Sequence, residues 1–146
     1  MKMNAASIKN QKAEWEALGV KLPAFDHEAM TAKTKEHPVW VHFGAGNIFR
    51  GFIAGLQQRL LNAGLAESGI VAAETFDYDI IDKIYVPHDS MTLMVSLKAD
   101  GSTQKEVIAS IAKGIKANCA DEAQWQQLTD VFTAPSLQMA SFTITE

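Results

Sequence analysis

The sequence predicts an α/β fold: a mostly parallel sheet flanked by helices, with an antiparallel hairpin inserted. Three observations carry the prediction. A short apolar strand at residues 39–43 runs into a glycine turn and then a helical pattern. A second apolar stretch at 69–75 follows that helix, and a third at 137–145 follows a later one. Strand, helix, strand at these lengths is a parallel crossover, which winds right-handed and lays its helix on the sheet face.

Composition sets the limits. At 146 residues the chain is the size of one domain, and 47% hydrophobic with 21% charged residues is the balance of a globular protein. A net charge of -4 and the lack of a basic cluster disfavour nucleic-acid binding. Cys119 stands alone, so neither an internal disulfide nor a multi-cysteine metal site is expected. The opening residues 1–7 are too polar for a secretory leader, and no apolar run reaches the roughly 20 residues that span a bilayer. The expectation is a cytoplasmic protein without a membrane partner.

Residues 1–37 read as a peripheral helical arm. Good helix formers fill 11–18, with Gly19 as a stop and Pro23 beyond it. Asp26 is placed to cap a helix over 27–35, whose Lys33 and Lys35 near the end suit the helix dipole. An α/β domain is expected to occupy 38–146. Pro38 opens its first strand, where a missing N–H is tolerated.

Gly44-Ala45-Gly46-Asn47-Ile48-Phe49-Arg50-Gly51 follows that strand. Gly44 supplies a tight turn, Gly46 lets the backbone approach a phosphate, and the helix opening at Asn47 points its free N–H groups at whatever lies above. This is the fingerprint of a Rossmann-type dinucleotide site, except that its third glycine comes at Gly51 where the usual spacing would fall on Phe49. Phe49, Phe52, Ile53, Leu56 and Leu60 recur at helical spacing and predict the buried face, with a stop near Gly64. Gly51 and Gly55 share a face that would let this helix settle closely on the sheet.

An acid after the second strand would receive the adenosine ribose. Glu74, Asp77 and Asp79 are the candidates, and Asp77 is favoured because it follows the strand instead of lying in it. Residues 78–85 predict a short helix stopped before Pro87. Residues 91–97 and 105–111 predict a hairpin across the Asp100-Gly101 turn. Asp121 caps a helix to about Val131, in which Trp125, Leu128 and Phe132 are expected in the core. The last strand, 137–145, should lie beside the first. His27, His37, His42 and His88 lack metal-ligand spacing, and His42 reads as a satisfied core histidine.

The run 44–52 resembles the nucleotide-binding turn of the polyol-specific long-chain dehydrogenases and reductases, the family of mannitol dehydrogenases, fructuronate reductases (mannonate oxidoreductases) and tagaturonate reductases. Two further segments resemble that family in the same order: Pro87-His88-Asp89-Ser90-Met91-Thr92-Leu93 and Ser141-Phe142-Thr143-Ile144-Thr145-Glu146. The resemblance covers about residues 38–146. It implies hydride transfer between NAD or NADP and a secondary alcohol or ketone of a sugar alcohol or sugar acid. It implies no catalytic metal, and an acid/base lysine in a helical C-terminal domain that would follow these residues, so no lysine here is given that role and this piece alone is expected to be inactive. Gly44, Ala45, Gly46, Asn47, Ile48, Phe49 and Arg50 would surround the pyrophosphate and adjacent ribose. Asp77 would favour NAD by repelling a 2′-phosphate, with Lys83 nearby leaving NADP open. Thr145 and Glu146 would approach the nicotinamide. The competing readings are an S-adenosylmethionine methyltransferase, against which Ile48 stands where the next glycine would come, and a non-catalytic nucleotide sensor.

Overall fold

A computed structural model describes residues 2–144. The arm comprises α1 (Ala5–Asn10), α2 (Lys12–Ala17), β1 (Val20–Lys21) and α3 (His27–Glu36). β2 (Trp40–Phe43) leads through the glycine turn into a helix that starts with a π turn, Phe49–Ile53, and continues as α4 (Ala54–Asn62). β3 (Ile70–Glu74) is followed by a second π turn, Ile81–Tyr85, and a 3-10 turn, Val86–His88, that absorbs Pro87. Then come β4 (Thr92–Leu97), β5 (Thr103–Ile108), β6 (Ile111–Lys116), α5 (Glu122–Thr133) and β7 (Met139–Phe142).

Two sheets result. The larger has the order β6-β3-β2-β7, with every pair parallel. One face buries Phe49, Ala54, Ile70, Ala72, Ile81 and Tyr85 beneath the two π turns and α4. The other buries Val41, Val71, Ile115, Leu128 and Val131 beneath α5. Helices on both faces explain why β3 is buried along its whole length and reads as a continuous apolar run. The smaller sheet, β1-β5-β4, joins the expected antiparallel hairpin to the arm through β1. Trp15 and Val20 of the arm share a buried cluster with Met91 and Val107, and Asp89 Oδ2 accepts from the Ala5 N–H at 2.9 Å.

The helix caps form as expected: Asp26 accepts from Ala29 N–H at 3.0 Å and Asp121 from Gln124 N–H at 3.1 Å. Three details differ from the sequence reading. The π turn inserts one residue into the helix after the glycine turn and moves its inward face one position along. Ala54, Gln57, Gln58 and Leu61 are therefore buried, while Phe52 is 66% exposed and Leu56 and Leu60 face outward. Gly51 and Gly55 consequently face Met94 and Ile108 of the hairpin, at distances a methyl group would tolerate. Next, β6 is a separate parallel strand that the pattern hid, because Lys113 and Gly114 interrupt its apolar run. Gly114 is required there, since a Cβ would stand 2.8 Å from Ile81 and 2.9 Å from Tyr85. Last, Trp125 and Phe132 are 45% and 49% exposed, so Leu128 and Val131 hold α5 to the sheet.

Candidate functional site

The carboxyl ends of β2, β3 and β7 open into a cleft of about 840 Å³. β2 lies between β3 on one side and β7 on the other, so the cleft sits where successive crossovers diverge, the place ligands occupy in open α/β sheets. Gly44, Gly46, Asn47, Ile48, Phe49 and Asp77 all line it.

The two glycines do different work. Gly44 has φ +105°, and a Cβ on it would overlap the Thr143 hydroxyl. It is needed for the turn itself. Gly46 has nothing within 4 Å of a built Cβ, so its side of the turn is open cleft. Helical backbone begins at Asn47, and the first amide to find a helical acceptor is Arg50 N–H, bonded to Gly46 O at 3.0 Å. The amides of residues 46–49 thus lie at a free helix N-terminus. Such a terminus favours an anion through its N–H groups and its dipole.

Ala45 and Arg50 are placed differently from the other turn residues. Ala45 is fully buried, and its N–H donates to Glu74 Oε2 at 2.8 Å. Arg50 leans away from the cleft toward Asn47 Oδ1 and Thr92 Oγ1, the latter 3.3 Å away, and lines a separate cavity with His88 and Met94. Phe49 is buried and stacks on His42, with ring centroids 4.2 Å apart and ring planes nearly parallel.

The three candidate acids separate cleanly. Glu74 is buried, and its second oxygen accepts from the amides of Thr75, Phe76 and Asp77 at 3.0, 3.0 and 3.3 Å. Its carboxylate is consumed in tying the glycine turn to the loop after β3. Asp79 is paired with Lys83, whose hydrogen bond lowers the aspartate pKa and raises that of the lysine. Asp77 is exposed at the cleft, and among the described residues no donor reaches its carboxylate. Thr145 and Glu146 lie outside the described residues.

Sequence reasoning did not find Thr143, which lines the cleft opposite Gly44. It belongs to a network around His42. The His42 ring is 0% exposed, and burial pushes its pKa down to about 4. Its Nδ1 lies 2.7 Å from Ser141 Oγ and its Nε2 3.2 Å from Thr143 Oγ1, while Trp40 Nε1 donates to the same Ser141 oxygen at 2.7 Å. His42 is the satisfied core histidine its place in a strand suggested. No cluster of three or more metal-ligating side chains occurs among the described residues.

No family model matches the chain. D-mannonate oxidoreductase of Thermotoga maritima is 45% identical over all 146 residues. The chain is thus similar along its whole length to one stretch of that oxidoreductase. It spans about a quarter of its mannonate relative's length, 27%. Two solved structures share the fold. Mannitol 2-dehydrogenase of Pseudomonas fluorescens, in a ternary complex with NAD and D-mannitol, matches 99% of this chain and 27% of its own at TM-score 0.77 and 24% identity. Substrate-free D-sorbitol dehydrogenase matches 88% of this chain and 25% of its own at TM-score 0.68 and 24% identity. The shared fold is Rossmann-type, a parallel sheet with helices on both faces, and the β4–β5 hairpin lies in the second sheet.

Proposed function

We propose that this chain is the NAD-binding part of an oxidoreductase that moves hydride between nicotinamide and a secondary alcohol or ketone of a sugar alcohol or sugar acid, of the mannitol/fructose or mannonate/fructuronate type. The observation that carries this is the open cleft at the sheet's switch point, floored by a side-chain-free Gly46 and by unpaired first-turn amides. In this reading the diphosphate rests on the amides of residues 46–49, and Asp77, the one uncommitted acid of the three, takes the adenosine ribose hydroxyls. Thr145 and Glu146 approach the nicotinamide. Arg50 acts beside the diphosphate through Asn47, not by direct contact in the conformation described. The acid/base lysine that the family resemblance implies lies outside these residues, no metal takes part, and the protein works in the cytoplasm. The names of the relatives support a sugar-type substrate.

Equilibrium titration tests the assignment: enhanced NADH fluorescence on binding supports it, and binding of S-adenosylmethionine in its place overturns it. Asp77→Asn sharpens the choice of cofactor. With Lys83 already engaged by Asp79, removing the Asp77 charge should narrow the preference for NADH over NADPH by about fivefold, the worth of one hydrogen bond. An unchanged preference would remove Asp77 from the ribose site.

A further inference from the structure

The hydrogen bonds between β2 and β7 run in a fixed direction. An indole N–H only donates, so Trp40 must fill one lone pair of Ser141 Oγ. The Ser141 hydroxyl then has one proton to place, and the acceptor within reach is His42 Nδ1 at 2.7 Å. An Nδ1 that accepts leaves the neutral imidazole protonated at Nε2, which donates to Thr143 Oγ1 at 3.2 Å. Thr143 is left with its own proton. Inside the protein that proton reaches Phe43 O only at 3.5 Å, the long limit of a hydrogen bond, on a carbonyl that also accepts the Thr143 N–H at 2.9 Å, so a well-placed ligand oxygen is the better acceptor. The opposite tautomer would strand the Ser141 proton.

We propose that Trp40, Ser141 and His42 form a relay that presents the Thr143 hydroxyl as a hydrogen-bond donor to the cleft, where it engages an acceptor oxygen of the bound dinucleotide. The ligand end of this proposal rests on the dinucleotide reading given above. Thr143 lines the cleft beside Gly44, whose missing Cβ leaves room for the hydroxyl, so the donor stands at the switch point itself. Trp40, Ser141 and His42 are positioning residues in this account, and Thr143 makes the contact. Stacking on Phe49 holds the imidazole plane and so holds the aim of Nε2.

Two measurements decide it. Nitrogen-15 NMR of the labelled protein near neutral pH should show His42 protonated at Nε2, and Trp40→Phe should let the other tautomer appear. Protonation at Nδ1 in the unmodified protein overturns the relay whatever the ligand. In NADH titrations Thr143→Val should weaken binding about fivefold to tenfold and Thr143→Ser should preserve it. Parallel titrations with ADP-ribose locate the oxygen: equal weakening places it on the diphosphate, and weakening for NADH alone places it on the nicotinamide side. No weakening for either ligand overturns the proposed contact. If the unmodified protein binds no NADH, the dinucleotide reading fails and the ligand end of the relay with it, while the tautomer result still judges its direction.

Discussion

The two walls of the cleft ask opposite things of the chain. The wall after β2 has to be bare, and it is made of glycine backbone and helix amides. The wall after β3 has to offer a carboxylate if a dinucleotide binds as proposed, and it offers Glu74 and Asp77 three residues apart with opposite fates. Glu74 turns inward and holds four backbone amides, whereas Asp77 faces the cleft without a partner among the described residues. Geometry therefore divides each wall into a residue engaged in building it and a residue left open to the cleft: Gly44 and Gly46 on one side, Glu74 and Asp77 on the other.

The largest effect should follow from removing the builder of the second wall. Glu74→Ala leaves four amides around a buried position without their acceptor, and urea unfolding should register a loss of about 3 kcal/mol or more. A loss below about 1 kcal/mol would mean that water replaces the carboxylate easily. Gly44→Ala comes next. Its positive φ and the overlap with Thr143 should lower stability by about 2 kcal/mol, and an unchanged unfolding midpoint would contradict the assigned backbone conformation.

A pH-dependent effect, small near neutral pH, should come from His42 between the walls. Its pKa falls from 6.5 in the unfolded chain to about 4 in the folded protein. As pH drops through that interval the unfolded chain takes a proton that the folded protein refuses, so stability falls with pH and levels off below about 4. The His42 contribution to the slope is at most about 1.4 kcal/mol per pH unit. His42→Asn should remove that part of the slope, and identical slopes in the two proteins would refute the buried neutral imidazole.

Much of this was legible in the sequence because local chemistry wrote it. The glycine turn, the capping Asp26 and Asp121, and the Asp100-Gly101 turn each declare a backbone conformation without help from distant residues. What was hidden depends on the third dimension. No residue marks a π turn, so the inserted position that exposes Phe52 and buries Gln57 and Gln58 left no periodic signature. β6 escaped because Lys113 and Gly114 look like a loop until Gly114 is seen beneath Tyr85. Glu74 and Asp77 are equivalent as letters, and only the amides curled around Glu74 separate them. Thr143 could have been suspected from its place in the Ser-Phe-Thr-Ile strand end, but its link to His42 needs the parallel register of β2 with β7.

In the proposed function the first wall is bare for a ligand and not only for the turn, and Gly46→Val separates these two reasons. The new side chain would enter open space, so the unfolding midpoint should stay close to that of the unmodified protein while NADH affinity falls by about 100-fold or more. Unchanged NADH affinity in a folded Gly46→Val protein would contradict it.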